Sequence, residues 1–83
     1  MNDTTKNYST PDMGLAAALM TAGFEIQELQ KIDAKKYEFI FKAQKDDSHI
    51  KGAISSYWDK NLLVSAYDYF NNTKMLKSRI YSS

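Results

Sequence analysis

Cysteine is absent from this 83-residue chain, proline occurs once, at Pro11, and glycine only three times. Without cysteine there is no disulfide framework and no thiolate metal site. A secreted domain this small would ordinarily need such staples, so a reducing, cytoplasmic setting is expected. So little Pro and Gly excludes collagen-like and linker-like chains. Neither sign of charge dominates: eleven basic and ten acidic residues leave a net charge of +1. That balance argues against a strongly acidic nucleic-acid mimic and against a uniformly basic polyanion binder. Long apolar runs are also missing. The longest, Leu15 to Met20, is far too short to span a membrane, and no membrane partner is expected. The polar stretch from Met1 to Thr10 has no apolar region of the kind a signal peptide carries, so none is expected. With no signal to route the chain for secretion, the three Asn-x-Ser/Thr matches at Asn2, Asn7 and Asn71 are read as chance.

What remains is an ordinary globular composition, 43% hydrophobic and 25% charged. Surface scaling for this mass leaves about 60–65% of the unfolded chain's surface buried, which is enough for one modest core and not for two. Residues 1–9 are expected to form a flexible N-terminal arm, and residues 10–82 a single domain.

The order of elements follows from punctuation and periodicity. Thr10 as N-cap, Pro11 at the first helical position and Asp12 near the positive helix end predict a helix start. Leu15, Ala18, Leu19 and Ala22 continue at helical spacing, and Gly23 supplies the stop. Alternation then takes over, in Phe24–Gln27 and more strongly in Tyr37–Lys42. Two antiparallel strands, about 24–31 and 36–43, are expected, joined by a turn through Asp33 and Ala34. A two-residue turn would place Ile26 opposite Phe41 and Glu25 opposite Lys42. It would also set Lys31 against Lys36, which is unfavourable.

Asp46, Asp47 and Ser48 announce a second helix with an Ile50, Ala53, Ile54, Tyr57 stripe and Trp58 at its edge, ending near Lys60-Asn61. Leu62-Leu63-Val64 reads as an extended link or a short third strand. Ser65 with Asp68 forms a capping-box pattern for a third helix, with Val64 and Tyr69 at the staple positions. Its inward stripe is expected at Ala66, Tyr69, Phe70, Thr73, Leu76 and Ile80. The predicted class is α+β: α-β-β-α-α, an antiparallel hairpin packed against three helices.

Catalytic and metal chemistry finds little to stand on. His49 is the only histidine, and Asp46-Asp47 are adjacent, as caps are. Converging catalytic or metal-binding carboxylates would instead come from different elements. Gly14, Gly23 and Gly52 are scattered and frame no phosphate loop. No cofactor, metal or enzymatic activity is expected.

Two features can carry binding. Tyr67 and Tyr81 fall beside the inward stripe of the third helix, on a flank shared with Lys74 and Ser78. After Asp68 no acid occurs, whereas Lys74, Lys77 and Arg79 make the helix end basic. Those cations also suit the negative helix terminus. The candidate binding residues are therefore Tyr67, Lys74, Lys77, Arg79 and Tyr81. A second basic cluster, Lys31, Lys35 and Lys36, surrounds the hairpin turn and is diluted by Asp33 and Glu38.

Asp12-x-x-Leu15-Ala16-Ala17-x-Leu19, Gly23-Phe24, the Tyr37-x-Phe39-x-Phe41 strand and the closing Leu76–Tyr81 segment together resemble a family of short domain-of-unknown-function proteins of bacteria and phages. The resemblance spans residues 8–82 and implies a small intracellular protein of phage or mobile-element context, with no catalytic residues to transfer. The expected function is a non-catalytic protein–protein interaction module acting on a host or phage protein. The alternative is a nucleic-acid-binding module, with Lys74, Lys77 and Arg79 on phosphates and tyrosines stacking on bases. A homodimer through exposed hairpin edges is compatible with either.

Overall fold

The computed structural model describes residues 7–42 and 48–82. Asp46 and Asp47, the expected opening of the second helix, lie outside the described residues, as do the first six residues of the expected arm. The described elements run β1 (Tyr8–Thr10), α1 (Met13–Thr21), β2 (Ile26–Asp33), β3 (Lys36–Phe41), α2 (Ser48–Trp58) and α3 (Ala66–Tyr81). The protein is a small α+β domain, with three helices and a three-stranded antiparallel sheet among the described residues.

The expected element order lacked one strand. Tyr8 and Ser9, assigned to a flexible arm, belong to β1, which pairs antiparallel with β3 through Tyr8↔Phe41, Ser9↔Ile40 and Thr10↔Phe39. The sheet order is β1-β3-β2, so β3 is central. Of the hairpin's two edges, β1 covers the one on β3 and leaves β2 as an edge strand. Three residues are too few to show an alternating pattern, which is why β1 was illegible. Of the two readings of Leu62–Val64, the link holds and the third strand does not form.

Because Thr10 is a strand residue, it cannot cap α1. Asp12 does so: its Oδ1 accepts a hydrogen bond from the Leu15 amide at 3.1 Å. Thr10 is buried and acts one step earlier, its Oγ1 accepting from the Asp12 amide. At the other end Gly23 behaves as its type demands. With φ at +111° it lets its own amide reach the Met20 carbonyl while the Phe24 amide reaches Leu19, closing a Schellman motif. The end of α2 has the same pair of bonds, Lys60 to Tyr57 and Asn61 to Ser56, with Lys60 in the left-handed region at φ 67°.

The hairpin places Ile26 opposite Phe41, as the alternation requires, and Glu25 pairs with Lys42 at 3.8 Å. Both members of that ion pair are exposed, so it fixes register more than it stabilises. The expected Lys31–Lys36 opposition does not occur. Irregularities between Ile26 and Glu28 and between Lys31 and Asp33 advance β2 past β3, so Lys31 faces Tyr37 and Asp33 faces Lys36. The turn is Ala34-Lys35, with the Asp33 Oδ1 accepting from the Lys35 amide. Neither turn residue has positive φ. Such a turn does not match strand twist, and the neighbouring bulge takes up the difference.

The core is built around α1. Leu15, Ala16, Ala17, Ala18 and Leu19 are all buried, so this short helix is enclosed around its circumference. Phe39 and Phe41 reach it from the sheet, Ile50 from α2 and Leu76 from α3. The alanines hold no bulk between these layers, which lets α2 and α3 pack directly on α1.

Candidate interaction face on the third helix

Helix α3 begins where the sequence says it should. Ser65 is the N-cap, its side chain accepting from the Asp68 amide at 3.3 Å. It ends on Ser82, whose hydroxyl donates to the Ser78 and Arg79 carbonyls. Between these caps lies a 16-residue helix that touches the rest of the fold along one stripe. That stripe is Tyr69, Asn72, Thr73, Leu76 and Ile80, with Leu76 buried and the others half-buried.

This corrects the predicted inward stripe at two positions. Ala66 is exposed, and Phe70 is 61% exposed and directed away from the core. The polar Asn72 occupies the inward position instead. Its side-chain amide donates to the Thr21 Oγ1 at 2.9 Å, and that hydroxyl donates in turn to the Ala17 carbonyl at 2.7 Å. A second polar tie joins the start of α3 to α1, where the Tyr69 hydroxyl donates to the Gly14 carbonyl. Tyr57 from α2 converges on the same point. Burial first, then the Asp12 carboxylate and Tyr69, push its phenol above the ordinary value of 10.0.

A flank of α3, about 120° around the helix from that stripe, is the notable surface. At about 100° per residue, Tyr67, Phe70, Lys74, Lys77 and Tyr81 fall on one strip, spaced 3-4-3-4. Tyr67 is 77% and Tyr81 83% exposed, and Leu63, just ahead of the N-cap, is 91% exposed. The Lys74 ammonium lies over the Phe70 ring, 5.3 Å from its centre, a cation–π contact that holds the two side chains together. Toward the C-terminal end, Lys74, Lys77, Ser78, Tyr81 and Ser82 line a shallow, open depression.

Four of the five predicted binding residues, Tyr67, Lys74, Lys77 and Tyr81, therefore share this strip. Arg79 does not. Two positions before Tyr81, it projects from the helix about 160° away. It sits in the last turn, where a cation complements the helix terminus. Phe70 and Leu63 were missed as surface residues because one was counted into the core stripe and the other into a link. The 3-4-3-4 spacing was the available signal, masked by the polar Asn72 at an inward position.

Elsewhere the surface offers less. His49 is exposed near the start of α2. Among the described residues no three His, Asp or Glu side chains converge to hold a metal ion. No described helix is long and apolar enough to cross a membrane. Lys31, Lys35 and Lys36 remain exposed at the hairpin end beside Asp33.

The match that places the chain among known proteins runs over residues 5–82, to a domain of unknown function, DUF5659. The chain belongs to this family. Its match extends ahead of β1, so a DUF5659 domain here includes the first strand as well as the helices. Comparison with curated proteins found no match, and comparison with solved structures found none.

Proposed function

We propose that this DUF5659 protein is a non-catalytic protein–protein interaction module that docks a partner protein along the outward strip of α3. On this reading it acts in the cytoplasm, is encoded by a phage or mobile element, and occupies a surface of a host or phage protein. The observation that carries it is the exposure of Tyr67, Phe70 and Tyr81 on one helix face, with Leu63 exposed in the link ahead of it, in a domain with so small a core. Large aromatics left in water do nothing for folding, whereas aromatic anchors with cations at their rim suit a protein interface. Enzymatic activity and cofactors form no part of the proposal.

Nucleic-acid binding is the second reading, favoured by the Lys74–Lys77–Tyr81 depression. With Arg79 on the other side of the helix, two lysines are left to meet phosphates. Binding through them to a single strand would weaken with salt at a log–log slope of only about −1.4.

The deciding experiment compares wild type with a Tyr67→Ala/Phe70→Ala/Tyr81→Ala variant. Affinity capture from host lysate is run with and without nuclease, and the captured protein's affinity is then measured in purified form. The proposal expects a nuclease-resistant partner whose binding is lost in the triple variant while its circular dichroism stays native. A partner bound equally well by both proteins would sink it.

A further inference from the structure

Resting on the docking face just proposed, we infer that its occupant is an acidic amphipathic helix of a different protein, lying antiparallel to α3. The strip from Tyr67 to Tyr81 rises about 21 Å, four turns of helix. Its 3-4-3-4 spacing is that of a seam which a second helix can follow. The strip is also divided. Its N-terminal half is apolar, Tyr67 and Phe70, with Leu63 ahead of them. Its C-terminal half is basic, Lys74 and Lys77 beside Tyr81, with no acid after Asp68 in the chain to neutralise them.

Charge decides against a second copy of this chain. Position 74 is the midpoint of the strip, so an antiparallel pair would set Lys74 against the second copy's Lys74 at the symmetry axis. A parallel pair would oppose both lysines with their equivalents. Like charges facing each other across a seam are destabilising. A partner with carboxylates there meets two unopposed ammonium groups instead.

Orientation follows from the partner's own dipole. Carboxylates are best placed in the first turns of a helix, near its positive end. Those turns lie over Lys74 and Lys77 only if the partner runs antiparallel, which brings its later, apolar residues onto Phe70 and Tyr67. One helix face of this length makes an interface at the small, transient end of the specific range.

A display library of helical peptides about 18 residues long, selected on the folded full chain at physiological salt, tests this directly. The peptides it enriches are expected to carry carboxylates in their N-terminal half and apolar residues at 3-4 spacing behind them. Lys74→Glu/Lys77→Glu should weaken them about tenfold or more while circular dichroism stays native. Replacing the peptide's carboxylates by lysine should restore binding to that variant.

Enriched peptides that ignore the charge reversal but are lost on Tyr67→Ala/Phe70→Ala would overturn the acidic helix and leave the docking face standing. Peptides indifferent to both variants, or no enriched peptide at all, would overturn both. So would a twenty-nucleotide oligothymidine that binds more tightly than any peptide and displaces it. A concentration-dependent dimer in sedimentation, abolished by Tyr67→Ala, would overturn the choice of a foreign partner alone.

Discussion

Helices α1 and α3 lie against each other and have opposite relations to solvent. Every residue from Leu15 to Leu19 is buried, whereas along α3 only Leu76 is. Small side chains let α1 serve as the central post, and each neighbour packs on a different side of it. The longer α3 gives up one stripe to the core and leaves Tyr67, Phe70 and Tyr81 outside. In α1 the side chains are chosen to fit inside, and a change there acts on the whole fold. In α3 Tyr67, Phe70 and Tyr81 stand largely in solvent, which is why the functional reading falls on that helix.

Substitutions can break this contrast or sharpen it. The largest effect is expected at Leu76, the buried residue of α3 in the core cluster with α1. Leu76→Ala should cost about 2–5 kcal/mol, enough to unfold much of a domain this small, as read by urea denaturation. Ala17→Leu, which overfills the post, should cost about 1–3 kcal/mol. A neutral result there would mean that α1 has slack around it.

Asn72→Ala removes the bond to Thr21 and should cost about 0.5–1.5 kcal/mol in the same assay. Tyr57→Phe acts only in alkali. The folded phenol holds its proton above pH 10, where unfolded tyrosines begin to lose theirs. Stability is therefore intact below pH 10 and falls as pH rises through the folded value. The variant's melting temperature should decline less steeply over that range, and an identical slope would contradict the assignment. Smallest of all, Phe70→Ser should change stability by no more than about 0.5 kcal/mol. A larger loss would return Phe70 to the core.

Much of the architecture is legible in single residues. Gly23 stops α1 through the left-handed geometry its missing Cβ allows, and Ser65 caps α3, both readable without a structure. The Tyr37, Phe39, Phe41 alternation correctly locates the central strand, and the Glu25–Lys42 pair anchors its register. What failed was decided by contacts distant in sequence. Thr10 has a good cap side chain, but β3 claims its backbone, so the cap passes to Asp12. Phe70 looks like core because it is apolar, while Asn72 looks like surface because it is polar. The hydroxyl of Thr21 gives Asn72 a partner inside, and Phe70 lies outside the stripe that meets the core. The shared strip of Tyr67, Lys74, Lys77 and Tyr81 is legible where aromatics and lysines alternate, whereas Arg79 leaves it because charge along the chain is not charge around the helix.

The position of β1 in the sheet has a consequence for how the chain assembles. Asp33 and Lys36 close the hairpin over a few residues, but Tyr8 must find Phe41 across more than thirty. By loop-closure entropy that second pairing is about 2 kcal/mol harder to initiate. Alpha helix α1 lies between the two partners in the chain, so β1 can settle only after that helix has met the hairpin. On this account β1 is the last strand to dock and the first to let go. Pulsed hydrogen exchange should show the Thr10 amide protected later than those of β3 during refolding. Protection at equal rates would mean that the sheet forms in one step.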